Sequence, residues 1–134
     1  MAVTKILARR ARPDVLINYV LNGDKTDDRI YTAYHNVTER NPYLAMKQTK
    51  TDAGKTDGVQ CYHIIQSFAP GEIRPEQALE IARRFCGEHL WGYEAVIGVH
   101  VDKDHVHAHI AFNSVNKYTR EKYHSNAKTY YEQI

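Results

Sequence analysis

The sequence predicts an α+β fold: an antiparallel β-sheet with helices packed on one face. Three observations carry this. Strand-like and helix-like segments follow one another as β-α-(β)-α-β-α-β-β, with the last two strands reading as a hairpin. A strongly amphipathic stretch after Pro75 places Ala78, Leu79, Ile81, Ala82, Phe85 and Cys86 on one side of a helix. The run from His100 to His109 alternates polar and apolar residues with the period of a strand.

The elements follow in order. Ala2 to Ala8 alternates as a first strand. Pro13 suits the first turn of a helix to Leu21, with Leu16 and Val20 at i, i+4 and Asn22-Gly23 as its stop. Residues 29–36 read as extended. Asn41-Pro42 is a cap and first turn for a helix to about Thr49, followed by a polar, glycine-bearing loop over 50–58. Val59 to Phe68 is a strand, ended by Ala69-Pro70-Gly71. The Pro75 helix ends near His89, and a strand from Tyr93 to Val101 follows. Residues 118–124 read as a further strand or a loop. Ser125 is an N-cap for a helix that begins near Asn126 and still runs at Ile134. A helix cut in mid-course suggests a single domain, 1–134, that is the N-terminal fragment of a longer protein.

The stretch His100-Val-Asp-Lys-Asp-His-Val-His-Ala-His109 holds four histidines and two aspartates in ten residues. A two-residue turn at Lys103-Asp104 sets His100 opposite His107 and Gly98 opposite His109. His100, His107 and His109 then converge on one face, with room at Gly98, and Asp102 faces His105 at the turn. The other parity, Val106, Ala108, Ile110 and Phe112 with Ala95, Ile97, Val99 and Val101, is an ordinary buried face. One histidine in a strand is usually structural. Three on one strand face with a fourth across the hairpin are poorly explained by core packing and suit a divalent cation such as zinc, manganese, nickel or copper.

Composition narrows the class. The chain has 134 residues, 43% hydrophobic, enough for one core. No apolar run approaches a membrane span, and there is no signal-peptide pattern. Two cysteines, Cys61 and Cys86, outside any CxxC motif, suit a reduced cytosolic protein. The net charge of +2 excludes a uniformly basic nucleic-acid binder, though Arg9, Arg10 and Arg12 form a local cluster that is equally readable as solvated surface. The ten tyrosines suit base stacking or half-buried strands alike.

Taken together, three segments resemble the relaxases (mobilisation nucleases) of the MobA/VirD type. They are Ile17-Asn-Tyr19-Val-Leu-Asn, Ser67-Phe-Ala-Pro-Gly-Glu72, and the His-x-Asp-x-x-x-x-His-x-His pattern of His100, Asp102, His107 and His109. The tail Asn113-Ser-Val-Asn116 is also similar. The resemblance covers nearly the whole chain, although members are usually several hundred residues long. It implies an HUH-type nuclease with a ferredoxin/RRM-like palm, a three-histidine metal site and magnesium or manganese in use, with zinc or nickel as crystal substitutes. It implies single-stranded DNA at a transfer origin as substrate, with accessory relaxosome proteins and a coupling protein as partners. It further implies a bacterial cytoplasmic protein that can enter the recipient attached to DNA.

By this resemblance Tyr19 is the nucleophile that nicks the strand by transesterification and keeps a 5′-phosphotyrosine link. Ser67, Arg9, Arg10 and Arg12 are candidate DNA contacts. Asp102 either orients a ligand histidine or takes the tyrosine proton, directly or through His105; the residues leave both open. Other readings are a rolling-circle replication initiator using Tyr130 or Tyr131, a metal-dependent phosphoesterase without a covalent step, and a metal-stabilised binding module.

Overall fold

The computed structural model describes residues 3–124. Eight elements follow in chain order: β1 (Val3–Arg9), α1 (Pro13–Val20), β2 (Thr32–His35), α2 (Pro42–Ala53), β3 (Cys61–Ser67), α3 (Pro75–His89), β4 (Ala95–His100) and β5 (His107–Asn113). The strands form one antiparallel sheet in the order β1-β3-β5-β4-β2. The α+β antiparallel class is therefore as expected. The helix expected from Ser125, with Tyr130 and Tyr131, lies outside the described residues.

Register sorts the side chains, because directly paired residues share a face. His100 pairs with His107, and Gly98 with His109, as the alternation requires. One face carries Tyr62, Ile64, Ile97, Ile110 and Phe112 and is covered by Ala78, Ala82, Phe85 and Cys86 of α3. Full burial of each large aliphatic or aromatic side chain there contributes about 1.5–3 kcal/mol. The opposite face carries the histidines.

The expectation that all helices share one face is corrected. Ile17, Val20 and Leu21 at the end of α1 and Met46 of α2 pack on Val96 and Ala111, on the histidine side. That part of the face is small and apolar, so helices can close on it. The approach is closest at Gly98, where an added Cβ would collide with the Val20 carbonyl oxygen. The room foreseen at Gly98 is thus filled by the helix end.

The two-residue turn is also corrected: residues 101–106 form a wider connection between β4 and β5. The Val101 N–H donates to the Lys25 carbonyl (2.7 Å), and the Val106 carbonyl accepts from the Phe68 N–H (3.0 Å), so these groups bond to neighbouring segments. Helix α2 starts as expected, with Asn41 Oδ1 accepting from the Leu44 N–H (3.1 Å), but runs beyond Thr49 to Ala53. Gly54, left-handed at φ 66°, ends it.

The extra turn of α2 buries Lys50. Its ammonium donates to Asn113 Oδ1 (2.8 Å) and the Gln60 carbonyl (3.3 Å). Asn113 Nδ2 in turn donates to Glu94 Oε1 and the Met46 carbonyl, both at 3.1 Å. This network ties α2 to β5 and to the residue before β4. The connection after β5 is irregular, with an isolated bridge between Val115 and Lys122.

Two outcomes follow from these contacts. Gly98→Ala should destabilise the protein by about 1–3 kcal/mol in urea unfolding, the usual cost of overpacking. Burial pushes Lys50 down to about 8, against the raising effects of Cys61 and Glu94. Between about pH 8 and 10.5 the unfolded chain holds a proton on Lys50 that the folded chain has lost, so this group's contribution to stability rises with pH. The stability of the protein relative to Lys50→Met should therefore shift towards the parent between pH 8 and 10, measured by urea unfolding at each pH.

Candidate active site

Three strands and one helix end bring the candidate residues to one place. His107 and His109 of β5, His100 of β4 and Ser67 of β3 lie on the same sheet face; Ser67 pairs with His107, and Ile65 with His109. The His100 and His109 ring centroids are 4.0 Å apart, and those of His107 and His109 6.2 Å. Tyr19, on the last turn of α1, stands edge-on above them, with centroids 5.0 Å from His100 and 5.4 Å from His109. Tyr19 is 41% exposed.

The imidazoles are held from behind. The His100 Nε2–H donates to the Val20 carbonyl (3.1 Å), which leaves Nδ1 as the nitrogen with a lone pair. His109 Nδ1 and His63 Nε2 share a hydrogen bond of 2.8 Å. If His109 is the donor, its Nε2 is the bare nitrogen. Burial lowers His100 and His107 from the usual histidine range. Burial first, then the neighbouring imidazoles, pushes His109 down to about 2; burial, then Arg9 and His100, brings His63 to about 4. All four rings are therefore neutral at pH 7.

Neutral rings with one nitrogen hydrogen-bonded and the other bare are the form in which histidine binds metals. Among the described residues, no three His, Cys, Asp or Glu side chains are gathered about one point closely enough to hold an ion. The donor set fits a divalent cation in chemistry and backbone placement; convergence requires the rings to turn.

The other candidates separate. Asp102 does not face His105. Its carboxylate binds the Lys25 ammonium at 3.0 Å, and this pairing holds it below the ordinary carboxylate range. His105 is exposed in the β4–β5 connection, its ring 6.1 Å from that of His107. Arg9 ends β1 on the histidine face, and Arg10 is exposed in the link to α1. Arg12 pairs with Asp14 (3.2 Å) and lies 5.4 Å from the Tyr43 ring centroid.

Two residues near the site were not among the sequence candidates. His63 shares the strand parity of Ser67, so comparing β3 with the histidine hairpin would have exposed it. Lys25, whose Nζ is 5.7 Å from the Tyr19 ring centroid, lies in a turn-rich segment with no periodic signal.

Comparison with known proteins gives a consistent result. A solved structure described as the molecular basis of vancomycin resistance transfer in Staphylococcus aureus shares the fold, with a TM-score of 0.63 over 99% of this chain and 86% of that one, at 12% identity. Protein rlx of Staphylococcus aureus is 46% identical over 88 residues, covering 63% of this chain and 27% of the relative. The group II intron-interrupted relaxase LtrB of Lactococcus lactis subsp. cremoris is 34% identical over 149 aligned positions, covering 89% of this chain and 26% of the relative. The chain thus spans about a quarter of the length of these curated relatives. The family model for the MobA/VirD2-like relaxase nuclease domain matches residues 19–134, and the chain belongs to that family.

Proposed function

We propose that this chain nicks single-stranded DNA at a transfer origin by tyrosine transesterification, in the mobilisation of a plasmid or integrative element. The observation that carries the reading is the exposed Tyr19 phenol standing edge-on over His100 and His109. The Tyr19 oxygen attacks the scissile phosphorus, the Tyr–O–P bond forms, and the bond to the 3′-oxygen breaks. The phenol proton leaves to solvent, and the departing 3′-oxygen takes one up. The product is a 5′-phosphotyrosine link and a free 3′-hydroxyl, so the strand can be rejoined.

A phenol with an ordinary pKa of about 10 is a weak nucleophile at neutral pH. Lys25 supplies positive charge beside the Tyr19 ring, and Asp102 holds that lysine in place. Asp102 accordingly acts by orienting Lys25 rather than as the base, and His105 sits outside the reacting centre. Ser67, beside His107, and Arg9 offer donors to phosphate oxygens, which position the strand without reading its sequence. His100, His107 and His109 would hold a divalent cation, with His63 supporting His109; magnesium or manganese is the expected ion. Such a cation, when bound, neutralises charge on the non-bridging oxygens.

Two measurements check this. Incubation with labelled single-stranded origin DNA and manganese, followed by mass spectrometry, should yield an oligonucleotide linked to Tyr19. Tyr19→Phe should abolish the adduct. An adduct mapped to Tyr130 or Tyr131, or free 5′-phosphate ends with no adduct, would overturn the reading. Separately, manganese at a hundredfold excess over Kd should stabilise the parent by about 2.7 kcal/mol in thermal or urea unfolding. His107→Ala, at the more exposed ring, should lose most of that gain while remaining folded.

A further inference from the structure

The histidine face is only half covered. Helices α1 and α2 pack on its β4 and β5 side, over Val96 and Ala111. On the β1 side Val3 and Leu7 stand 60% and 37% exposed, in the same parity as Lys5 and Arg9. At the inner edge of this uncovered strip, between α1 and β3, lies a cavity of about 490 Å³, within the size range of small-molecule sites. Val15, Leu16 and Ile65 form apolar walls, the Cys61 side contributes to the floor, and Arg9 and Arg12 line it as cations. Tyr19 and His109 also line it, so the cavity opens directly beside the candidate reacting centre.

We propose that this cavity is a nucleobase pocket: it takes one base of the single strand whose phosphate lies at Tyr19. The inference rests on the strand-nicking reading above and adds a site to it. The physical case is a match of two chemistries at one spacing. Every nucleotide combines a flat apolar ring with an anionic phosphate. The cavity combines apolar walls with two guanidinium groups. A base in single-stranded DNA is unstacked and exposes both π-faces, so it gains by burial against Val15, Leu16 and Ile65. Val15, Leu16 and Ile65 carry no side-chain donors or acceptors, so the apolar contact they offer a base does not depend on its identity. Seating the base beside Tyr19 fixes the adjacent phosphate against the phenol, which is a positioning effect.

The test uses the full chain in EDTA, so that no cleavage occurs. Fluorescence anisotropy compares labelled (dT)10 with a decamer of abasic tetrahydrofuran units carrying the same phosphates. The parent should bind (dT)10 about tenfold more tightly, the scale of one buried base. Ile65→Thr keeps a β-branched strand residue, and Val15→Gln alters a position 70% exposed on α1, so the second variant in particular preserves the fold. Both should bring the ratio towards one while leaving the affinity for the abasic decamer unchanged. Arg9→Gln should weaken both decamers and flatten the salt dependence by about one unit. Equal affinity of the parent for the two decamers overturns the proposal, as does a preference that survives both wall variants. The two readings fail separately: base-dependent binding without a Tyr19 adduct would leave the pocket and end the nuclease mechanism, and an adduct without base preference would do the reverse.

Discussion

The end of helix α1 rests on Gly98, and the arrangement of the site depends on that contact. The last carbonyls of a helix have no partner within it. Here the Val20 carbonyl lies over the only residue of β4 without a side chain and accepts the His100 Nε2–H at 3.1 Å. One group thus fixes the distance between helix and sheet, the tautomer of His100 and, through the adjacent residue, the position of Tyr19. The negative end of the helix dipole also points towards the imidazoles, which favours positive charge there over negative. Any larger residue at position 98 would move helix, ring and phenol together.

A second lock acts at the other end of the central strands. Asn113, the last residue of β5, uses its amide on both sides: it accepts from Lys50 and donates to Glu94 and to the Met46 carbonyl. An ammonium and a carboxylate are thereby buried with a shared partner rather than alone, which is the condition under which such groups are tolerated inside a protein. The network fixes α2 against the sheet, and α2 with α1 closes the β4 side of the histidine face. Asn116 serves the following turn in the same way, donating to the Trp91 carbonyl and accepting from the Tyr118 and Thr119 N–H groups. The two asparagines of the Asn113–Asn116 tail are therefore structural ties behind the site.

The hairpin register was legible in the sequence because two independent signals agreed. The imidazole parity and the apolar parity of both strands select the same pairing, and a one-residue slip would have put His109 or Ile110 on the wrong side. The placement of α1 and α2 was not legible. Amphipathicity says which side of a helix is buried, but not which face of a sheet receives it. His63 was available from parity alone, by extending the comparison from β5 to β3. Lys25 was not, because its position comes from a run of turns in which Asp27, Asp28 and Arg29 all take positive φ, set by contacts distant in sequence. The same holds for Asp102: local spacing pointed to His105, whereas a lysine from the α1–β2 connection reached it first.

Charge on this face differs from the near-neutral balance of the chain. Arg9, Arg12 and Lys25 lie around the histidines, and Arg12 and Lys25 engage Asp14 and Asp102 respectively. The imidazoles add no positive charge at neutral pH, since burial keeps them unprotonated. The consequence is a division of labour by chemistry. Permanent cations at the rim attract a polyanion over a distance set by ionic strength. Neutral lone pairs at the centre remain free for coordination, which a protonated ring could not provide. A site built from histidines alone would lose coordination when charged and lose attraction when neutral. On the proposed reading, separating the two tasks between arginine or lysine and histidine would let both be performed at the same pH.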